Sequence, residues 1–246
     1  MNNILHWLRG EFDKKAHPHY QILEYPNLSD LENKYGKVWK NEEIPARQYK
    51  TTERQLPNLE NIPAIADLIQ QIKLTHLKHP RVLEIGCSTG YHEEAFRQAK
   101  LHVVYEGCDY SPMFIKLARK FHPLVEFKIS DATKLIYGNS RFNIVISGCC
   151  ILHIIDYQQA VREAVRVSEK YVIFHRTPTI HSRKTTFAKK IGYGKEMVEI
   201  FFNENELSNL FKENHLTKAS VKTHAQLDIP GLGEPVFMKN YLCVKI

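Results

Sequence analysis

The segment Gly86-Cys87-Ser88-Thr89-Gly90 follows a short apolar run, Val82-Leu83-Glu84-Ile85, and leads into a polar stretch over 91–100. Glycines in such a turn reach backbone conformations other residues avoid, and they let a ligand approach the main chain. Asp109 and Asp131 each follow a strand-like run, where carboxylate lone pairs can accept hydrogen bonds. His153, His175 and His181 are titratable near neutral pH and so suit proton transfer. Arg176, Arg183, Lys184, Lys189, Lys190 and Lys195 run without an acid until Glu196, a series suited to recognising an anion.

Other chemistries find less in the sequence. Gly-x-Ser-x-Gly around Ser88 is also the form of a nucleophile elbow, but that reading needs an aspartate and then a histidine downstream and has no use for Glu84. Cys87, Cys108, Cys149, Cys150 and Cys243 show no metal-ligand spacing and no disulfide framework. They read as small buried apolar residues of a reducing compartment, the cytoplasm. His17-Pro18-His19 lacks a third ligand nearby and reads as a loop. No metal is expected.

These residues need a scaffold, and the patterning supplies one. Ile62, Ile65, Ala66, Leu68, Ile69 and Ile72 recur at helical spacing behind Pro63. Strand 81–85, helix 91–100, strand 102–108 and helix 112–121 follow, the last opened by Ser111 as cap and Pro112 in the first turn. Strand 125–129, strand 142–147, helix 156–168 and strand 171–174 continue the alternation. Residues 176–202 form an insertion with Gly192 and Gly194 flanking Tyr193. A helix over 204–214 and a closing strand pair, 216–224 and 236–245, end the chain. Strands alternating with helices predict a mostly parallel sheet with right-handed crossovers. Residues 1–57 hold both tryptophans, Trp7 and Trp39, with little sustained period. They read as a partly helical appendage to a domain over 58–246.

At 246 residues, 43% hydrophobic and 25% charged, the chain suits one globular core plus an appendage. No apolar run reaches the ~18 residues of a membrane span. The N-terminus lacks the cleavage site of a signal peptide. A net charge of +7 favours acidic partners, nucleic acid among them, without naming one.

The run Val82 to Gly90 is similar to the first motif of class I S-adenosylmethionine-dependent methyltransferases, and Glu106-Gly107-Cys108-Asp109-Tyr110-Ser111-Pro112-Met113 resembles the second. The resemblance covers about 58–246. It implies a Rossmann-like, doubly wound sheet of seven strands, mostly parallel, with an antiparallel last strand. It implies S-adenosylmethionine as methyl donor and S-adenosylhomocysteine as product. On that reading Asp109, with Tyr110 beside it, holds the ribose. Asp131, followed by Ala132, meets the adenine amine. The backbone of Gly86 and Cys87, in the turn that Gly90 closes, lies against the methionine moiety, and Ser147 opens the segment lining the donor pocket. Glu84, a carboxylate in an apolar strand, costs several kcal/mol unless paired, and the ligand's ammonium group is the partner expected for it.

The segment 147–153 lacks the Asn/Asp-Pro-Pro-aromatic and proline-cysteine signatures of base-methylating relatives. His175, closing the fifth strand, is the first choice of general base, ahead of His153. Arg176, Arg183 and Lys184 would make the insertion a basic lid over an anionic acceptor. His175-Arg176-Thr177-Pro178, the basic stretch and Phe201-Phe202-Asn203-Glu204 resemble a bacterial group associated with surface polysaccharides. The expected function is methyl transfer to an oxygen, or less favourably a nitrogen, of a small molecule or glycan. The alternatives are an RNA methyltransferase, and a non-catalytic ligand-binding module on the same fold.

Overall fold

A computed structural model describes residues 20–24 and 26–246. Trp7 and His17-Pro18-His19 lie outside the described residues. The described part opens with β1 (Gln21–Leu23), α1 (Leu28–Tyr35), α2 (Glu43–Thr52) and α3 (Pro63–Leu74), with 3-10 turns between the later helices. The alternating portion is β2 (Arg81–Ile85), α4 (Tyr91–Gln98), β3 (Val104–Asp109), α5 (Pro112–Phe121), β4 (Glu126–Ile129), β5 (Phe142–Gly148), α6 (Tyr157–Val167) and β6 (Ser168–Ile180). It closes with β7 (Thr186–Gly192), β8 (Lys195–Asn203), α7 (Glu204–Glu213), β9 (Leu216–Asp228) and β10 (Pro235–Lys245).

The core sheet runs β4-β3-β2-β5-β6-β10-β9, parallel through β6, with β10 antiparallel to both its neighbours. β2 pairs on both sides, and Val82, Leu83, Ile144, Val145 and Ile146 have no exposed surface. Burial on both faces explains why these strands read as continuous apolar runs instead of alternating ones. α3 and α4 cover one face through Ile65, Leu68, Ala95 and Phe96. α6 and α7 cover the other through Val161, Ala164, Leu207 and Phe211. Local signals set the helix ends: Ser111 Oγ accepts from Phe114 N, and Asp156 Oδ1 from Gln159 N. Between β4 and β5 the described chain runs without a helix.

Two features depart from the sequence reading. Among the described residues the expected seven-stranded core is extended to ten strands, because the insertion is the β-hairpin β7–β8 and β1 pairs with β7. In addition, β6 runs 13 residues, past Gly148, whose partner on β6 is His175. Its far end pairs with β10 on one side, and through Thr179 and Ile180 with β8 on the other. That overhang holds the hairpin above the carboxyl edge of the sheet. Residues 26–52 complete the same roof: Leu31 and Tyr35 share a core cluster with Val198 and Ile200, and Ile44 packs with Phe114 and Met197.

Candidate active site

At the carboxyl end of β2 the chain turns through Gly86 at φ +73°. A Cβ there would collide with the Cβ of Cys150, so both the conformation and the space call for glycine. Gly86 N and Cys87 N both donate to Cys108 O, at 2.8 and 3.0 Å. Asp109 then locks the turn: Oδ2 accepts from Ser88 N at 3.0 Å and Oδ1 from Ser111 N at 2.9 Å. Burial pushes the Asp109 carboxyl up to about 6, against the lowering effect of these backbone N–H groups. The Tyr110 N–H also acts on this carboxylate, whose roughly four lone-pair sites leave room for a ligand hydroxyl. Asp131 Oδ1 accepts from Thr133 N and Oγ1, at 2.8 and 2.7 Å.

Gly86, Ser88, Asp109, Tyr110, Asp131 and Ala132 border one cavity of about 1170 Å³, which also takes in Cys149, His153 and Arg176. Cys149 and Cys150 are partly exposed at this wall, where the sequence reading has them buried. The cavity continues under the roof, between Trp39, Gln48, Tyr193 and Met197. Trp39 lies 4.8 Å from the His153 ring and 6.1 Å from that of Tyr193. Gln48 ties roof to floor. It accepts from Ser88 Oγ at 2.5 Å, and its amide donates to Tyr193 OH at 3.3 Å.

Several expected site residues lie elsewhere. Glu84 is fully buried and internally paired, with His92 Nδ1 2.8 Å from Oε1 and Tyr105 OH donating to Oε2 at 2.5 Å. The protein itself thus supplies the partner expected from a ligand. Cys87 packs with Ile115, Ala118 and Phe127. Gly90 faces Phe127 and His122. Ser147 is buried behind Cys150, its Oγ 3.3 Å from the Sγ.

His175 borders no part of the cavity. It is fully buried, its Nε2–H donating to Ala64 O at 3.2 Å. Burial first, then the neighbouring His92, hold its pKa well below the ordinary value. Its side chain points to the helices on the other side of β6, which removes it as the base. Arg183 pairs with Glu24 at 2.6 Å and donates to Leu232 O, and Lys184 is exposed outside the cavity. Lys189, Lys190 and Lys195 pair with Glu196, Glu199 and Glu43. Instead of a free basic lid, the insertion is a paired, partly buried hairpin.

His153 does border the cavity. Its Nδ1–H donates to Val198 O at 2.9 Å, which leaves Nε2 with the lone pair. Burial lowers its pKa to about 4, so the ring is neutral at physiological pH. Farther under the roof Lys190 and Glu199 form an ion pair beside Tyr20. Burial tends to disfavour both charges, but each outweighs that for the other: the Glu199 pKa is lowered and that of Lys190 raised. The sequence carries one trace of this pair, in the alternation Met197, Glu199, Phe201, which puts a carboxylate on an otherwise apolar strand face.

Residues 82–170 match the methyltransferase domain family. Demethylmenaquinone methyltransferase of Chlorobaculum parvum is 30% identical over 91 residues, 37% of this chain and 37% of that protein. Ajmaline N-methyltransferase of Rauvolfia serpentina is 31% identical over 99 residues, 37% of this chain and 33% of that protein. The chain spans about a third of the length of the curated relatives it matches. Among solved structures, the Burkholderia thailandensis 1,6-didemethyltoxoflavin-N1-methyltransferase, with bound 1,6-didemethyltoxoflavin and S-adenosylhomocysteine, aligns at TM-score 0.53 and 16% identity. That alignment covers 92% of this chain and 99% of the other, a likeness of fold. Over residues 82–170 the chain is similar to the methyltransferase domain family, and its fold is like that of solved S-adenosylmethionine-dependent methyltransferases.

Proposed function

We propose that the chain transfers a methyl group from S-adenosylmethionine to a nitrogen or an acidic hydroxyl of a small molecule held under the roof. The observation that carries this reading is Asp109, a buried carboxylate at the cavity wall, fixed by backbone N–H groups including those of Ser88 and Ser111. The residues present fit the donor. Asp109 would take the ribose hydroxyls and Asp131 the adenine amine, and the Gly86 turn admits the methionine portion. When bound, the donor supplies an electrophilic methyl on a sulfonium.

The chain's own residues then have to position the acceptor and manage its proton. Holding the reacting groups in line supplies much of the rate. His153 presents an unprotonated Nε2, but a pKa of about 4 makes it a weak base. A neutral imidazole of lowered basicity is poorly suited to ionising an ordinary sugar hydroxyl. It does suffice to receive a hydrogen bond from an acceptor that already offers a lone pair or ionises readily. This moves the preference from sugar oxygens to nitrogen and acidic hydroxyls, and the names of two of the similar proteins, both N-methyltransferases, are in keeping with that.

The paired state of Arg183, Lys189, Lys190 and Lys195 gives little support to an anionic glycan or an RNA. Among the described residues no helix is long and apolar enough to cross a membrane. A cytoplasmic location belongs to the same proposal, supported by five free cysteines, which persist as thiols in reducing compartments. The test is calorimetric titration with S-adenosylhomocysteine, followed by a screen of small nitrogen and phenol acceptors with methyl-labelled donor. Absence of donor binding in folded protein would remove the proposal.

A further inference from the structure

Within reach of His153 the cavity holds a polar group that donor binding does not use. Lys190 and Glu199 form their ion pair in its wall. Tyr20 OH donates to Glu199 Oε2 at 3.3 Å and accepts from Lys190 Nζ at 3.5 Å. A buried ion pair is weak evidence for stability, because desolvating both charges offsets their attraction. Folding therefore gives little reason for this pair.

Its unused valences are specific. The ammonium has three N–H donors and the carboxylate about four lone-pair sites, and the contacts with each other and with Tyr20 occupy only part of them. One donor and one acceptor thus remain side by side. Their complement is a molecular edge carrying a carbonyl next to an N–H. The charges cancel within the pair, and Glu199 would repel a phosphate or carboxylate placed against it. Tyr20, Trp39, Tyr193, Met197 and Met238 contribute aromatic and thioether surface to the cavity, which the charged Arg176 and Asp228 also line. Ring faces and flexible methionines favour a flat π-system.

We infer that the acceptor is a flat, uncharged nitrogen heterocycle whose carbonyl/N–H edge is read by Lys190 and Glu199. The inference rests on the methyl-transfer reading of the same cavity. It makes the ion pair a specificity determinant, because a site built to hydrogen-bond a ligand discriminates against analogues lacking those groups.

The test uses the full chain loaded with S-adenosylhomocysteine and three probes: lumazine, a pteridine dione with the required edge; naphthol, which has the ring faces without it; and glucose phosphate. Calorimetry should show lumazine binding more tightly than naphthol by roughly tenfold, the scale of one hydrogen bond to a charged group, and no measurable heat from glucose phosphate. The double variant Lys190→Met, Glu199→Met removes both charges together and leaves no buried ion orphaned. It should erase the preference for lumazine over naphthol and keep donor affinity. Equal affinity for lumazine and naphthol in the unsubstituted protein overturns the inference with no variant needed, as does a preference that survives the double substitution or a preference for the sugar phosphate. Failure of S-adenosylhomocysteine to bind would instead sink the donor reading, so the two failures are distinguishable.

Discussion

His92 and His175 meet edge to face, ring centroids 4.7 Å apart, in fully buried positions outside the cavity. His92 is also the partner of Glu84, so the two histidines and the strand carboxylate form one polar cluster inside the fold. His175→Ala should therefore act on stability. The expected loss is about 1–3 kcal/mol, the range for breaking a buried hydrogen-bonded contact, with affinity for S-adenosylhomocysteine unchanged. Thermal melts paired with calorimetry check this, and a variant of normal stability that has lost donor binding would contradict it.

Acid should unfold the protein early, and the sign follows from the histidines. His175 is held well below the ordinary value of 6.5, and His153 is lowered to about 4. Below pH 6.5 the unfolded chain binds protons that these native rings refuse, so stability falls as pH drops through this window. Asp109 opposes the trend. Its pKa rises from 3.8 to about 6, so the native state takes up that proton first and gains stability between those values. Melting temperatures measured from neutral pH downward should fall, and His175→Gln should flatten the fall.

Donor affinity should weaken below about pH 6, because a protonated Asp109 loses acceptor capacity and negative charge. Asp109→Asn should bind S-adenosylhomocysteine roughly 10–100-fold more weakly, on the scale of hydrogen bonds to charged groups, and lose most of the pH dependence below neutrality. Calorimetry at several pH values reads both effects. A wild-type profile that stays level through pH 6 would argue against a ribose role.

Gln48→Ala cuts the link between Ser88 and Tyr193. The expected cost in stability is small, about 1 kcal/mol. The clearer readout is the release rate of S-adenosylhomocysteine in stopped flow, which should rise as the roof loses its tie to the glycine turn. An unchanged release rate would mean that the roof moves independently of that turn.

The fold was legible where local chemistry and burial agree. Ser111-Pro112 and Asp156 mark helix starts because capping is a short-range event, and the β5 run marks a strand buried on both faces. Asp109 and Asp131 were legible as cavity residues because strand ends lie at the ligand edge of such sheets. What failed was the question of faces. A strand end fixes the edge of the sheet, whereas the face depends on a parity that one irregular residue reverses. Here Arg176, at φ +55°, interrupts the alternation, and Arg176, not His175, borders the cavity. The pairing of Glu84 with His92 and Tyr105, and of Lys190 with Glu199 across the hairpin, comes from tertiary contacts that no local pattern announces. The lysines of the hairpin therefore read as a basic lid open to an anion, though Lys189 and Lys190 have partners on the next strand and Lys195 has one in α2.

The contact between Tyr20 and Glu199 spans 179 residues of chain, and β1 reaches its partner β7 only through that closure. Contacts of such sequence separation carry a large loop-closure entropy and form late. During synthesis the floor of the cavity, β2 through β5, is complete long before β7 and β8 exist to cover it. The chamber thus acquires its ceiling only after its floor is laid.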